Sequence, residues 1–166
     1  MKKNLTPKIL MVCLGNICRS PLAEGVMRAK AQQAGIDCEV DSAGTGSWHI
    51  GHPPHPLSQK VAAQNAIDIS MLRARRFSPE DMNAYDHIFF MDKANLQDAR
   101  DIAGTGWQEH KANLLLDMVP HLGISEVPDP YFGEFDAYIE VYQMIEEACD
   151  AIVAKMQQTL TPDRSH

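Results

Sequence analysis

Long hydrophobic runs are missing from this 166-residue chain. None approaches the roughly 20 apolar residues that cross a bilayer, so no membrane role is expected. The opening MKKNLTPKILMVCLGN sets lysines before an apolar run, but residues 9–14 are too few, Pro7 interrupts their approach and no small-residue cleavage site follows. A secretory leader is therefore not expected. Cysteine is scarce as well. Four cysteines in a chain long enough to bury a sizeable core do not make a disulfide framework, and they point to a reducing, cytoplasmic location. Positive charge is short, with 15 Lys and Arg against 22 Asp and Glu and a net charge of -7. General attraction to nucleic acid or anionic membrane is thereby excluded, and any phosphate site must carry its positive potential locally. Repeats, low-complexity stretches and linkers are absent too, so residues 1–166 are expected to form a single domain.

What is present alternates between two periodicities. Residues 8–13 (KILMVC) form a short apolar run of the kind found in buried parallel strands. Residues 13–20 read as a loop. Pro21 at the first helical position, with Ser20 as N-cap, then opens a helix to about Ala34, with Leu22, Val26 and Ala29 on one face and Gly35 closing it. Residues 39–43 predict a second strand ending in a turn at Gly44–Gly46. The proline- and histidine-rich residues 48–56 predict an ordered loop, and residues 57–66 a helix. In Ser78-Pro79-Glu80-Asp81, Asp81 is placed to reach back to the Ser78 amide. Residues 87–91 predict a third strand, Asp92 caps a helix to about Ile102, and residues 113–118 predict a fourth strand. The last helix carries Phe135, Tyr138, Tyr142, Ile145, Cys149, Ile152 and Met156 at alternating three- and four-residue spacing. Strands alternating with helices predict an α/β fold, a parallel sheet with helices on both faces, whose ligands sit at the carboxyl ends of the strands. Cys13, Thr45 and Asp92 all follow predicted strands directly.

The segment Cys13–Ser20 (CLGNICRS) between strand and helix suits phosphate-ester cleavage by a thiolate. The helix dipole and nearby amide donors favour an ionised sulfur at Cys13. Backbone N–H groups of Leu14, Gly15, Asn16, Ile17, Cys18 and Arg19 can turn inward as an anion nest for phosphate or a similar oxyanion. Arg19 closes the ring with a planar fork that binds two oxygens at once. Gly15 and Asn16 tolerate the left-handed backbone such a curl needs, and the Ser20 hydroxyl is placed to donate to the Cys13 sulfur. Curling also brings Cys18 toward Cys13, so a reversible Cys13–Cys18 disulfide is expected under peroxide.

With these residues in view, the chain resembles the low-molecular-weight protein tyrosine phosphatases. The resemblance is carried by Val12–Glu24 (VCLGNICRSPLAE), Asp41–Thr45 (DSAGT), Arg73–Asp81 (RARRFSPED) and Val127–Gly133 (VPDPYFG), in the family's order. It implies Cys13 as nucleophile, Arg19 as phosphate binder and Asp129 as general acid, a four-stranded parallel doubly wound sheet, and no metal or other cofactor. It also implies Trp48 and Tyr131 as aromatic walls of the substrate pocket, tyrosine-phosphorylated proteins as partners, and a monomer or weak dimer. An acid at Asp129 makes chemical sense, because the tyrosyl oxygen needs a proton on leaving and the later water must lose one. The chain departs from the family at Leu72, where many members carry a histidine supporting the loop, and at Leu57 near the pocket entrance.

Other candidates are weaker. His49, His52 and His55 recur every third residue, but intervening prolines and the lack of acidic neighbours argue against a metal site. Arg73, Arg75 and Arg76 read as a solvated face, and Cys149 as packing. An arsenate reductase would need a closer pair of extra cysteines than Cys38 and Cys149. A phosphoarginine phosphatase would be expected to carry threonine in place of Ile17. A phosphate-binding module without catalysis would need neither thiolate nor acid.

Overall fold

The computed structural model describes residues 6–160; Lys2, Lys3 and the two ends of the expected single domain lie outside the described residues. Four strands form one parallel sheet in the order β2-β1-β3-β4. They are β1 (Lys8–Cys13), β2 (Glu39–Gly44), β3 (His87–Phe90) and β4 (Ala112–Leu114). The central β1 is paired on both sides, with Met11 opposite Ser42 of β2 and Phe89 of β3. Its side chains alternate between two cores. Ile9, Met11 and Cys13 enter the cluster built with helices α1 (Arg19–Gln33), α2 (Pro56–Gln64) and α5 (Phe135–Leu160). Leu10 and Val12 enter a smaller cluster with Phe77, Phe90 and Ala99, under α3 (Asp81–Ala84) and α4 (Lys93–Ala103). A strand buried on both faces must be apolar throughout, which is why KILMVC shows no polar alternation. Strand order reverses beside β1, and the loop after it opens at the carboxyl edge of the sheet, where α/β folds place their ligands.

Most expected elements form, with informative exceptions. Helix α1 begins at Arg19 with Cys18 in the N-cap position and no side-chain cap, so Ser20 is not the cap. Its hydroxyl lies 3.0 Å from the Cys13 sulfur instead, and a short side chain cannot also turn back to its own helix. The C-terminal end of α1 follows expectation: Ala34 caps it and Gly35 continues with a φ of 72°, the left-handed conformation glycine adopts without strain. Leu22 and Val26 are buried as expected, but Ala29 is only half-buried; Ala23, Met27 and Ala31 complete the packed face. The expected fourth strand shrinks to Ala112–Leu114, and Leu115–Met118 coil into a 3-10 turn. Leu114, Leu115 and Leu116 are buried either way, and burial alone does not choose between an extended chain and a tight turn. The Asp81 reach-back is present, with the Ser78 amide donating to Asp81 Oδ2 at 2.9 Å. Helix α5 buries Tyr138, Tyr142, Ile145, Cys149 and Ile152, while Phe135 and Met156 at its ends are half-buried.

Phe90 is fully buried against Phe77, with ring centroids 6.5 Å apart. Phe90→Ala is expected to lower unfolding free energy by about 3–5 kcal/mol in urea denaturation. Met71→Ser, at a position 79% exposed, should change it by less than about 0.5 kcal/mol.

Candidate active site

The loop after β1 closes around the Cys13 sulfur. Cys13 is 2% exposed, and its Sγ accepts from the backbone N–H of Asn16 at 3.3 Å and of Ser20 at 3.4 Å, with the Ser20 hydroxyl at 3.0 Å. Converging donors of this kind suit an anionic sulfur. The curl depends on Asn16, whose φ of 58° is left-handed. Its side chain holds that turn: Nδ2 donates to Ser20 Oγ at 2.7 Å and to Ser42 Oγ at 3.0 Å, and Oδ1 accepts from the Arg75 amide at 3.0 Å. Gly44 lets β2 pass this close, since a Cβ there would lie 2.7 Å from the Leu14 carbonyl oxygen and 3.0 Å from the Asn16 nitrogen. Asn16 and Ser20 thus stand behind the loop, while Leu14, Gly15, Ile17 and Cys18 line the pocket with Cys13 and Arg19.

Arg19 is almost fully buried at the start of α1. Its Nη1 donates to Asp92 Oδ2 at 2.7 Å and to the Val127 carbonyl at 2.8 Å, and its Nη2 stands 3.7 Å from Asp129 Oδ2. Burial works against the guanidinium charge, but the Cys13 sulfur, Asp92 and Asp129 more than offset it and hold Arg19 above its ordinary range. Asp129 is 42% exposed, and its Oδ1 accepts from the Tyr131 amide at 3.1 Å. The pocket has a volume of about 220 Å³, and its outer wall is Trp48, His49, Asp129, Tyr131 and Phe132. An aromatic slot above an oxyanion loop accepts a planar ring with a phosphate at its end.

Every site residue expected from the sequence therefore gathers at this pocket or directly behind it. Four features were not legible. Asp92 does cap α4, with Oδ1 accepting from the Asn95 amide at 2.8 Å, but its other oxygen anchors Arg19. The signal available was its position directly after a strand, on the same sheet edge as Cys13. Phe132, 96% exposed, meets Tyr131 edge-on at 4.8 Å. His49 lines the pocket, whereas His55 stands behind its wall, meeting Tyr131 edge-on at 5.8 Å, stacking on Tyr138 at 5.2 Å and accepting from the Leu57 amide. Among the described residues no group of three His, Cys, Asp or Glu could hold a metal ion. The expected solvated arginine face holds for Arg73 and Arg76, both exposed, and is corrected at Arg75, which is half-buried and paired with Asp41 and Asp81, each at 3.1 Å; Arg76 Nε also donates to the Thr45 carbonyl. Two of the three arginines thus tie the preceding segment to β2, the turn after it and α3. Leu72 and Leu57 both pack against the larger core, and neither lines the pocket.

The family model described as "Low molecular weight phosphotyrosine protein phosphatase" matches residues 8–162. The chain is similar to low molecular weight protein-tyrosine-phosphatase YfkJ of Bacillus subtilis (strain 168), 40% identical over 153 residues, covering 90% of this chain and 96% of that protein. The crystal structure of YfkJ from Bacillus subtilis superimposes with a TM-score of 0.87 at 37% identity, covering 95% of this chain and 99% of that one. Vibrio vulnificus Wzb, solved in complex with benzylphosphonate, superimposes with a TM-score of 0.80 at 31% identity, covering 90% and 98% of the two chains. This chain belongs to the low-molecular-weight protein tyrosine phosphatase family, and it is a hydrolase of tyrosine-phosphorylated proteins acting through a catalytic cysteine.

Proposed function

We propose that Cys13 is the nucleophile, Arg19 the phosphate clamp and Asp129 the acid and base of this phosphatase. The observation that carries the assignment is the buried Cys13 sulfur, ringed by three donors at the floor of a pocket that also holds Arg19 and Asp129. The thiolate attacks phosphorus, and the bond to the tyrosyl oxygen breaks as Asp129 gives that oxygen its proton. The cysteinyl-phosphate left behind is held by the backbone N–H groups from Leu14 to Arg19 and by the Arg19 fork. Water then attacks phosphorus while the Asp129 carboxylate takes its proton, and Cys13 leaves as thiolate, aided by the Ser20 hydroxyl. Phosphate is released. Trp48 and Tyr131 flank the ring of the substrate, a reading in keeping with the complex of Vibrio vulnificus Wzb with benzylphosphonate, which joins a ring to a phosphonate through one methylene. The slot between them holds a phosphate at the end of a ring and leaves a shorter phosphoserine out of reach of Cys13.

Residues 1–166 act as one domain in this reading, monomeric or weakly dimeric and cytoplasmic. The four free cysteines, three of them buried, support a reducing location. Cys18 is assigned a protective role. Burial pushes its thiol up to about 12, so the Cys13 sulfur is the one that peroxide oxidises first. Cys13 sulfenic acid condenses with the Cys18 thiol, forming the disulfide and releasing water. Both residues line the same pocket, which supports their approach.

Cys13→Ser is expected to fold normally and hydrolyse phosphotyrosine peptides at less than about one thousandth of the wild-type rate. Full activity in the folded variant would remove the nucleophile assignment. Asp129→Ala should lose about 10²–10⁴-fold in turnover on phosphotyrosine. Its loss should be much smaller on esters of acidic phenols, and a uniform loss across leaving groups would make Asp129 structural instead.

For Cys18, wild type and Cys18→Ser inactivated with peroxide and then treated with dithiothreitol should separate. Wild type recovers and yields a Cys13–Cys18 cross-linked peptide by mass spectrometry, whereas Cys18→Ser stays inactive. Equal recovery without that peptide would eliminate the protective role.

A further inference from the structure

Behind the phosphate loop runs a line of side-chain hydrogen bonds whose far end is charged. Arg28 Nη2 donates to Glu24 Oε2 at 2.6 Å and to the Val40 carbonyl at 2.7 Å. Glu24 Oε1 accepts from the Ser42 hydroxyl at 2.7 Å. Ser42 Oγ in turn accepts from Asn16, which also donates to Ser20 Oγ, 3.0 Å from the Cys13 sulfur. Asn16, Ser20, Glu24 and Ser42 are all buried, so none can turn to solvent for another partner.

The direction of every bond in this line follows from one charge. An ionised carboxylate only accepts, so the single proton of Ser42 goes to Glu24 and the Ser42 oxygen must accept from Asn16. The Arg75 amide on Oδ1 prevents the Asn16 amide from flipping, and its two N–H bonds therefore point at Ser42 and Ser20. Ser20 is then an acceptor toward Asn16, and its own proton is left for the Cys13 sulfur or, less closely, the Ala43 carbonyl at 3.4 Å. A protonated Glu24 would donate to Ser42, whose proton would need a new acceptor where Asn16 offers only N–H. The polarity that reaches the sulfur would be lost.

Arg28 stands where it decides the charge on Glu24. Burial pushes the Glu24 carboxyl up, while the bonds from Ser42 and Arg28 and the Arg28 charge pull it back. Asp41 of β2 pushes the same way as burial, and is itself held by Arg75 and Tyr85. Where α5 packs on α1 the charged groups are Lys30 with Glu146 and Asp150. Arg28 is 51% exposed at its side chain, so replacing it opens no cavity in the core.

We propose that Arg28 is a positioning residue for the phosphatase reaction: through its ion pair with Glu24 it orients the Ser42–Asn16–Ser20 relay, so that the Ser20 hydroxyl donates to the Cys13 sulfur whenever that sulfur is an anion. The role rests on Cys13 being the nucleophile. It operates twice per turnover, when the thiolate attacks and when it leaves.

The test compares kcat and KM for an aryl phosphate across pH in wild type, Arg28→Met, Arg28→Lys, Glu24→Gln and the Arg28→Met/Glu24→Gln double variant, with melting temperatures for each. Without its cation, Glu24 takes up a proton at higher pH than in wild type, so activity should be lost earlier as pH falls. Arg28→Met is expected to lose about tenfold in kcat at about pH 5 but less than about threefold near neutrality, with KM within about twofold. Arg28→Lys should restore the acidic limb. In the Glu24→Gln background Arg28→Met should add nothing, because there is no charge left to control. A folded Arg28→Met whose pH profile superimposes on wild type would overturn the proposal, as would an equal loss in both backgrounds. If Arg28→Met does not fold, Arg28→Gln replaces it against Arg28→Lys in the same comparison. Activity in Cys13→Ser would instead remove the nucleophile assignment and this proposal with it, so the two failures are distinguishable.

Discussion

The left-handed turn at Asn16 is the constraint on which the rest of the site depends. A residue with a Cβ pays on the order of 1–2 kcal/mol to enter that region, and three side-chain hydrogen bonds to Ser20, Ser42 and the Arg75 amide hold it there. Release of those bonds would let the chain after β1 relax outward. The Asn16 and Ser20 amides would then no longer meet at the Cys13 sulfur. Gly44 belongs to the same device, because only a residue without a side chain lets β2 lie against the back of the loop. The phosphate loop is thus a backbone shape stabilised from behind by buried polar groups, with Ser42 of β2 and the Arg75 amide supplied by distant stretches of chain.

Charge is organised locally against the global balance. A chain with a net charge of -7 buries one guanidinium at the mouth of α1 and brackets it with two carboxylates. Such a pairing contributes orientation more than stability, since desolvating both partners offsets much of their attraction. Asp92 and the Val127 carbonyl both engage Nη1, so the plane of the fork is set before any phosphate arrives. Prepayment of that ordering is what makes an arginine effective at a phosphoryl group.

Residues that pack were easier to read from the sequence than residues that pair. β1 and β3 follow from short apolar runs, α4 from its Asp92 cap, the core stripe of α5 from apolar periodicity, and the Asp81 reach-back from a four-residue signature. Periodicity failed at Leu114–Leu116, where burial is shared by a strand and a tight turn. Ser20 does not cap because α1 already begins at Arg19, and its hydroxyl oxygen accepts from Asn16 Nδ2 at 2.7 Å while lying 3.0 Å from the Cys13 sulfur. Arg75 reads as solvated when only its neighbours in sequence are considered, yet its partner Asp41 lies 34 residues away.

The sequence by itself determined the α/β alternation and the loop chemistry from Cys13 to Ser20, because strand period, residue type and short spacing are local quantities, whereas Asp129 became a candidate only through the family resemblance. Only the tertiary structure decided that Asp92 holds Arg19 across 73 positions and that Phe132 and His49 share the pocket wall. The same is true of Glu24 and Arg28, which reach the nucleophile through Ser42, a residue of a different strand. A hydrogen bond is specified by distance and direction to within a few tenths of an ångström. Between segments far apart in the chain, those quantities exist only once the sheet has set them side by side.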